Sequence, residues 1–594
     1  MSALATAGLS SSAVESRLRA HPGRTQACAK WIYPALCCAA LLVCILLSNP
    51  FNEAGFNDDW SYGRVAMKLA ETGRMQYNGW GSPILLFQSF WAVPWIKAFG
   101  FSFPVLQSAI IPISMGFVLL VYATGRAIGL SPELSAFASI ATGTSPLFLP
   151  LAASFMTDSP GCFFIMLCIY SAIRSVQARE SRGAARWLWV LTLAGVVGGA
   201  NRQIVWIAPV VLIPYLFWVR RADAGFRVQA IGAYGGSAIA ILAIIHFFSQ
   251  PYGPLQLSHE ELVSVLRHES GRAIGLVASL VLVCVLASMP AFCCLLPLVK
   301  QRGPAWLLIG VIGVAASTFA VIIRTGLVAP YGNCILSWVG IATEGQEWFR
   351  TKPASLAPWI RIVLSGLVNL CVFVSISWIV RSRRDLLAKP YSPALPIFAV
   401  FSVGYMALVL PGALVGLAFD RYMLPIVPLM ILVILVQVAR YRPHVPRVAW
   451  CSLLVFCWYG IATTHDYFAA LRARVAVAHA IEITGVGRDR VSAGFEYDGW
   501  TELERSEYVS VVQYQDPFAD DHAKGFWFWF WNHTPNLRPD FVILSWTSPE
   551  PAQGGELKVD FRAWMPPFRR SAIAWRRADL TGMYQAVRLA ALIR

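Results

Sequence analysis

Apolar runs of membrane-crossing length alternate with short polar loops along most of this chain. They fall at roughly 31–48, 104–124, 134–153, 159–176, 187–200, 203–219, 228–248, 273–299, 304–324, 358–380, 393–415, 421–439 and 447–464. A helix crosses a bilayer in ~20 apolar residues, so the pattern predicts about thirteen transmembrane helices. The fifth and sixth runs are short and meet at Asn201-Arg202, which reads as two half-spans or one bent helix. Residues 83–99 are also apolar, but a span there would invert every later loop. They read as an interfacial helix along the outer surface, with Trp91 and Trp95 at headgroup depth.

Between the first run and this helix, Tyr62, Val65, Ala66 and Leu69 recur at helical spacing and Gly73 follows. The spacing predicts a helix over 60–72, opened by Asp58-Asp59 and closed by the glycine. After Thr464 the pattern changes to mixed charges, glycines and short β-like runs at 508–514 and 541–546. The expected organisation is a cytoplasmic tail (1–30), a transmembrane domain (31–464) whose first external loop is 49–103, and a small external α/β domain (465–594).

Composition agrees with the pattern. Of 594 residues, 57% are hydrophobic and 13% charged, where a soluble domain carries about 25% charged. The net charge of +16 is uneven: residues 1–464 hold 33 Lys and Arg against 16 Asp and Glu, and residues 465–594 hold 15 against 16. The basic residues sit in short loops on one side together with the N-terminus, the positive-inside pattern. They form no continuous stripe, which argues against a nucleic-acid partner. Most of the thirteen cysteines lie in apolar runs and read as small hydrophobes rather than a disulfide framework. No cleavage pattern closes the first run, so it reads as an uncleaved anchor.

The acids take the other side. Glu53, Asp58, Asp59, Glu71, Asp158, Glu260, Glu261, Glu269, Glu344, Glu347 and Asp420 all fall at the outer face or its boundary. Acids are weak topology signals, so this asymmetry points to an external polar site. Asp58, with Asp59 second, is the candidate general base; adjacent helical residues do not face the same way, so the pair should divide its roles. Asp158 opens the fourth run, and Thr157-Asp158-Ser159-Pro160 is also a good helix start. Arg202 and Arg421 are candidate phosphate binders, because a guanidinium holds phosphate bidentately. Arg64 and Lys68 read as solvated. His259, Glu260, Glu261, His268 and Glu269 offer carboxylate and imidazole ligands to a divalent cation, without a tight ligand spacing. The run Phe526-Trp527-Phe528-Trp529-Phe530-Trp531 reads as core or a lipid-facing surface, with sugar stacking the sharper alternative.

Taken in order, several motifs resemble the GT-C class of membrane glycosyltransferases, and within it the protein O-mannosyltransferases and bacterial aminoarabinose-lipid A transferases. Asp58-Asp59-x-x-Tyr62 is similar to that superfamily's Asp-Glu-x-x-Tyr, and Pro83-Ile84-Leu85 to Phe99-Gly100 to its interfacial stretch. Asp158 is similar to its second external acid, and Arg421-Tyr422-x-Leu424-Pro425 to its late Arg-Tyr-x-x-Pro. The resemblance covers about 31–464. It implies a donor sugar on a polyprenyl phosphate, an acceptor hydroxyl, catalysis by Asp58 and Asp59, and substrate contacts from Tyr62, Asp158, Arg202, Arg421 and Tyr422. It implies an inverting transfer at the outer, periplasmic face of a bacterial inner membrane, with acceptor lipid, glycan or protein. A flippase for lipid-linked saccharides and a cell-envelope polymer ligase are the alternatives. A transporter should carry polar groups at the bilayer midplane and repeated halves, and neither is visible in the sequence.

Overall fold

The computed structural model describes residues 24–81, 83–248, 270–296, 313–320, 322–323, 328–332, 334–337, 340–341, 357–388, 394–414, 418–442, 444–510, 528–546, 557–566, 568–577 and 579. Helices dominate: α1 (Arg24–Ser48), α2 (Asp59–Thr72), α3 (Leu86–Phe99), α4 (Phe103–Ala127), α5 (Pro132–Gly143), α6 (Asp158–Gln177), α7 (Ser181–Gly199), α8 (Ile207–Val219) and α9 (Ala224–Phe247). There follow α10 (Ser270–Ala287), α11 (Met289–Phe292), α12 (Pro358–Ala388), α13 (Ala394–Leu414), α14 (Ile426–Ala439), α15 (Arg447–Ile483) and α16 (Phe495–Ser506).

Among the described residues, six helices are long and apolar enough to cross a membrane: Trp31–Ser48 within α1, α4, α6, α9, Leu395–Leu414 within α13, and α15. A pair bent by 58°, Gly275–Ala287 and Met289–Leu295, would make a seventh. The chain is an integral membrane protein, and several of the expected apolar runs are interrupted among the described residues. Local breakers explain much of the difference. The run 134–153 gives only the 12-residue α5 and then a 3-10 turn at Leu149–Leu151, where Pro146 and Pro150 cannot continue a helix. The fifth and sixth runs are parted at Ala200–Arg202, and a 3-10 turn, Gln203–Trp206, precedes α8. The run from 421 starts with a 3-10 turn, Asp420–Met423, so its α-helix begins at Ile426 and has 14 residues. Part of 304–324 lies outside the described residues.

Helix α2 begins one residue earlier than the spacing predicts and ends as expected. Gly73 adopts a left-handed conformation (φ 71°) and its N–H returns to the Leu69 carbonyl, the geometry that makes glycine the usual residue past a helix end. Helix α3 is pinned at its start to the break between α7 and α8. Leu85 and Leu86 donate backbone bonds to the Asn201 and Ala200 carbonyls, and Gln88 and Asn201 bond each other twice.

The last helix differs most from expectation. Helix α15 has 37 residues and runs without interruption through position 464, where a domain boundary was expected. Two short strands, β1 (Leu336–Ser337) and β2 (Gly340–Ile341), pair antiparallel earlier in the chain. The distal part of α15 carries a four-stranded sheet ordered β3 (Val491–Ser492), β4 (Phe541–Trp546), β6 (Arg569–Arg576), β5 (Leu557–Arg562). β3 and β4 are parallel, the other pairs antiparallel, with Ile543 opposite Ala574 and Val559 opposite Ala572. Ala473, Val477, Ala478 and Ile481 of the helix pack with Val491, Ile543, Ala572 and Ala574 in a small core. The expected strand at 541–546 is present. Residues 508–510 are not in a strand, and the rest of that run lies outside the described residues.

Helix α16 brings this layer against α2. Trp60 is fully buried, with ring centroids 5.7 Å from Trp80, 5.7 Å from Phe495 and 5.8 Å from Phe530. Truncating such a core aromatic costs ~3–5 kcal/mol. Of the aromatic run at 526–531, Phe528, Phe530 and Trp531 are buried in this contact, and Phe526 and Trp527 lie outside the described residues. Most of the buried apolar residues of the helical part and of this layer form one continuous cluster.

Candidate active site

Asp58 occupies the N-cap position of α2 without using its side chain as a cap. Its backbone carbonyl accepts the N–H groups of Ser61 and Tyr62. The carboxylate instead receives the Trp80 indole N–H on Oδ1 at 2.9 Å, and Oδ2 lies 3.9 Å from Arg421 Nη2 and 3.4 Å from Asn57 Nδ2. Burial pushes the Asp58 carboxyl above the usual carboxylate range. Arg421 and the Trp80 N–H pull it back, and Asp158 pushes it up further. Repulsion between acids is therefore a minor cause beside desolvation.

Asp59 points elsewhere. It is fully buried and its Oδ2 accepts the Phe56 backbone N–H at 3.0 Å, closing the turn that leads into α2. Burial holds this carboxyl well above the usual range, against backbone N–H groups of Phe155 and Phe56. The neighbouring pair in sequence is thus divided: one carboxylate faces the cations, the other ties its own loop.

Asp158 is the first residue of α6 and buried; its Oδ1 forms an ion pair with Arg202 Nη1. The same Nη1 lies 3.3 Å from Thr157 Oγ1. Among the described residues, Asp158 Oδ2 has no hydrogen-bond partner. The Arg202 guanidinium sits over the Tyr422 ring, 5.4 Å from its centroid, and the Tyr422 carbonyl accepts the Tyr405 hydroxyl at 2.7 Å. Arg421 is 10% exposed and stands over the Phe419 ring at 5.2 Å. Its Nε and Nη1 are buried and have no acceptor among the described residues. Tyr62 is buried close to the same charges, which act electrostatically on its hydroxyl; burial raises that hydroxyl well above its ordinary range.

The site is therefore assembled from the start of α2, the start of α6, the α7–α8 break and the approach to α14. It brings together Asp58, Tyr62, Asp158, Arg202, Arg421 and Tyr422. It leaves Arg64 and Lys68 out, because both reach Glu507, at 3.4 Å and 2.7 Å, on the other side of α2. His259, Glu260, Glu261, His268 and Glu269 lie outside the described residues. Among the described residues no group of His, Cys, Asp and Glu has a metal-binding arrangement.

Two residues escaped the sequence reading. Trp80 orients the Asp58 carboxylate, and its ring is wedged by Phe530 (5.2 Å), His533 (5.4 Å) and Phe495 (5.7 Å) of the C-terminal layer. Asp420, read only as an outer acid, is fully buried; it accepts the backbone N–H groups of Ile335, Leu336 and Arg421 at 2.7–3.0 Å. It so clamps the 334–336 segment beside Arg421. Gly332 is required there, since a Cβ would collide with Asp420 Oδ2 and the Leu336 carbonyl. Neither contact leaves a local sequence signal.

No family model matches the sequence, and no curated protein matches it. In structure the chain is similar to ArnT from Cupriavidus metallidurans bound to undecaprenyl phosphate, at 11% identity over 92% of this chain and 98% of that one, TM-score 0.40. It is similar to the oligosaccharyltransferase of Archaeoglobus fulgidus at 11% identity over 85% and 69%, TM-score 0.38. It is also similar to the S. cerevisiae protein O-mannosyltransferase Pmt1-Pmt2 complex bound to the sugar donor, at 17% identity over 42% and 34%, TM-score 0.28. With TM-scores below 0.5, these likenesses stand as findings beside the site, and the functional reading rests on the site's own geometry.

Proposed function

We propose that this protein is an inverting glycosyltransferase that moves a sugar from a polyprenyl-phosphate donor to an acceptor hydroxyl at the external face of the membrane. The observation that carries the reading is the pairing of one buried carboxylate, Asp58, with a buried guanidinium, Arg421, whose Nε and Nη1 have no acceptor among the described residues. A buried guanidinium without its full set of acceptors is costly to maintain in a fold. An anionic phosphate is the ligand that suits it, bidentately.

The chemistry follows from these positions. The acceptor oxygen attacks the anomeric carbon, its proton passes to Asp58, and the bond from the anomeric carbon to the phosphate oxygen breaks. Arg421 receives the charge that develops on the departing polyprenyl phosphate. Arg202, held by Asp158 and stacked on Tyr422, gives a second positive group that acts on Asp58. Trp80 fixes one oxygen of Asp58 and leaves the other to accept the proton. Asp59 keeps the loop in shape. A single displacement inverts the anomeric centre.

The test is incubation of the purified full chain with a panel of polyprenyl-phosphate sugars and hydroxyl acceptors, reading released polyprenyl phosphate and glycosylated product. One donor should give both in equal amounts. Movement of an intact lipid-linked sugar across vesicles without any released lipid phosphate would replace this reading with the flippase.

A further inference from the structure

The hairpin β5–β6 ends in a tip, described at residues 563–566 and 568, where the Ala563 N–H bonds the Phe568 carbonyl at 2.8 Å. This tip does not point into solvent from the far side of the sheet. It lies on α15. Asp466 of the helix accepts the Trp564 and Met565 backbone N–H groups at 2.6 and 2.9 Å and pairs with Arg570 at 3.3 Å. Trp564 stacks on Trp458 at 5.3 Å and on His465 at 4.7 Å.

The helix acts as a ruler. At 1.5 Å per residue, Trp458 and Asp466 lie about 16 and 28 Å along α15 from Arg447. The hydrocarbon core of a bilayer is about 30 Å thick. The lipid-exposed stretch of α15 includes Leu454 and Val455 and ends at Trp458, which is 53% exposed. On that ruler the helix residues that the hairpin tip contacts run from about the middle of the hydrocarbon core, at Trp458, to its outer boundary, at Asp466.

Two features of the tip fit that depth. Phe568 is 62% exposed, a large apolar side chain at the end of the hairpin. Beside it, Arg562 and Arg569 are both exposed and directly opposite each other across the antiparallel pair. Like charges so placed repel unless an anion lies between or beside them. Asp560 is the anion beside them, but it is shared between Lys558, at 3.0 Å, and Arg569, and Arg570 is held by Asp466, so positive charge is in excess on this edge.

We propose that the β5–β6 tip is a membrane foot: Phe568 enters the outer interface and the Arg562–Arg569 pair binds the headgroup phosphates of anionic lipid. Arginine stems lie along apolar surface while their guanidinium groups reach phosphate, as basic residues do at membrane boundaries.

A photoreactive benzoylphenylalanine at position 568 tests this in the full chain, reconstituted in vesicles of equal parts phosphatidylcholine and phosphatidylglycerol. Position 454, in the exposed apolar stretch of α15, reports insertion. Position 483, 87% exposed at the distal end of the same helix, reports solvent. Lipid adducts are expected at 454 and 568 and not at 483, with phosphatidylglycerol several-fold over-represented at 568. The double variant Arg562→Gln/Arg569→Gln should return that ratio to the vesicle composition. Adducts at 454 without adducts at 568, or a ratio at 568 equal to the vesicle composition in the unaltered chain, would overturn the proposal. The readout needs no enzymatic activity.

Discussion

Two sets of buried acids sit in this molecule, and they are treated differently. In the C-terminal layer every buried carboxylate is surrounded by donors. Asp498 accepts from the Ser492 hydroxyl, the Ala493 N–H and the Trp531 indole, and burial still lifts its carboxyl to about 7. Glu502 accepts from both nitrogens of Asn536 and from Ser506. Asp466 holds two backbone N–H groups and an arginine. At the candidate site, Asp58 has one strong donor and a cation at 3.9 Å, Asp158 keeps an oxygen without a partner among the described residues, and Arg421 keeps two nitrogens so. Full satisfaction of a buried charge is the signature of structure. Asp59 Oδ1, Arg64 Nε and Arg474 Nε also lack a partner among the described residues, but only where Asp58, Asp158, Arg202 and Arg421 meet do opposite charges face one another so incompletely satisfied, which suits a ligand.

The comparison can be broken most severely at Asp58. Asp58→Asn should leave the folded fraction unchanged and lower turnover by ~10²–10⁴-fold, the usual contribution of a positioned base; equal turnover would make Asp58 another structural acid. Asp420 lies beside the site yet belongs with the satisfied acids, and Asp420→Ala should behave so. It strands three backbone N–H groups at roughly 1–3 kcal/mol each, which should appear as a lowered unfolding midpoint in detergent. An unchanged midpoint with lost activity would move Asp420 into the working set. Arg421→Ala should raise the apparent donor KM by about 10–100-fold, the size of a charge-assisted bond, with the acceptor KM little altered; a symmetric effect on both would argue against phosphate binding.

The smallest effect is the most discriminating. Trp80→Phe keeps the ring and removes the N–H that stabilises the Asp58 carboxylate. The Asp58 carboxyl is already raised by burial, so a base there loses activity as pH falls through that raised value. Without the indole N–H the value rises further, and the acid limb of kcat/KM should move to higher pH. A limb that stays in place would mean Trp80 only packs.

Much of this site could be read from residue order alone, because topology constrains which ends of spans meet. Asp58, Asp158, Arg202 and Arg421 were expected on one face, and the structure gathers them. The division of Asp58 from Asp59 was also expected from helical geometry, although the loop bond from Phe56 to Asp59 was not. What escaped depended on distance along the chain. Trp80 acts through rings more than 400 positions away, and Asp420 bonds a segment some 85 positions earlier. Some of the apolar runs break for a local reason: Pro146 and Pro150 stop a helix that hydrophobicity alone would carry on, and the break at Ala200–Arg202 falls where the two short runs were expected to meet. Arg64 and Lys68 were misjudged as solvated because Glu507, their partner, lies on the later layer.

Helix α15 has a consequence for anyone who would exchange parts between chains of this architecture. Hydrophobicity marks a seam near Thr464, and a graft made there would cut a continuous helix just before Asp466, which holds the hairpin, and Arg472, which bonds the Asn49 and Phe51 carbonyls just past the first span. The loop carrying Asp58, the first span and the last layer are in that sense a single heritable unit, and recombination that respects the membrane boundary would still separate what folds together.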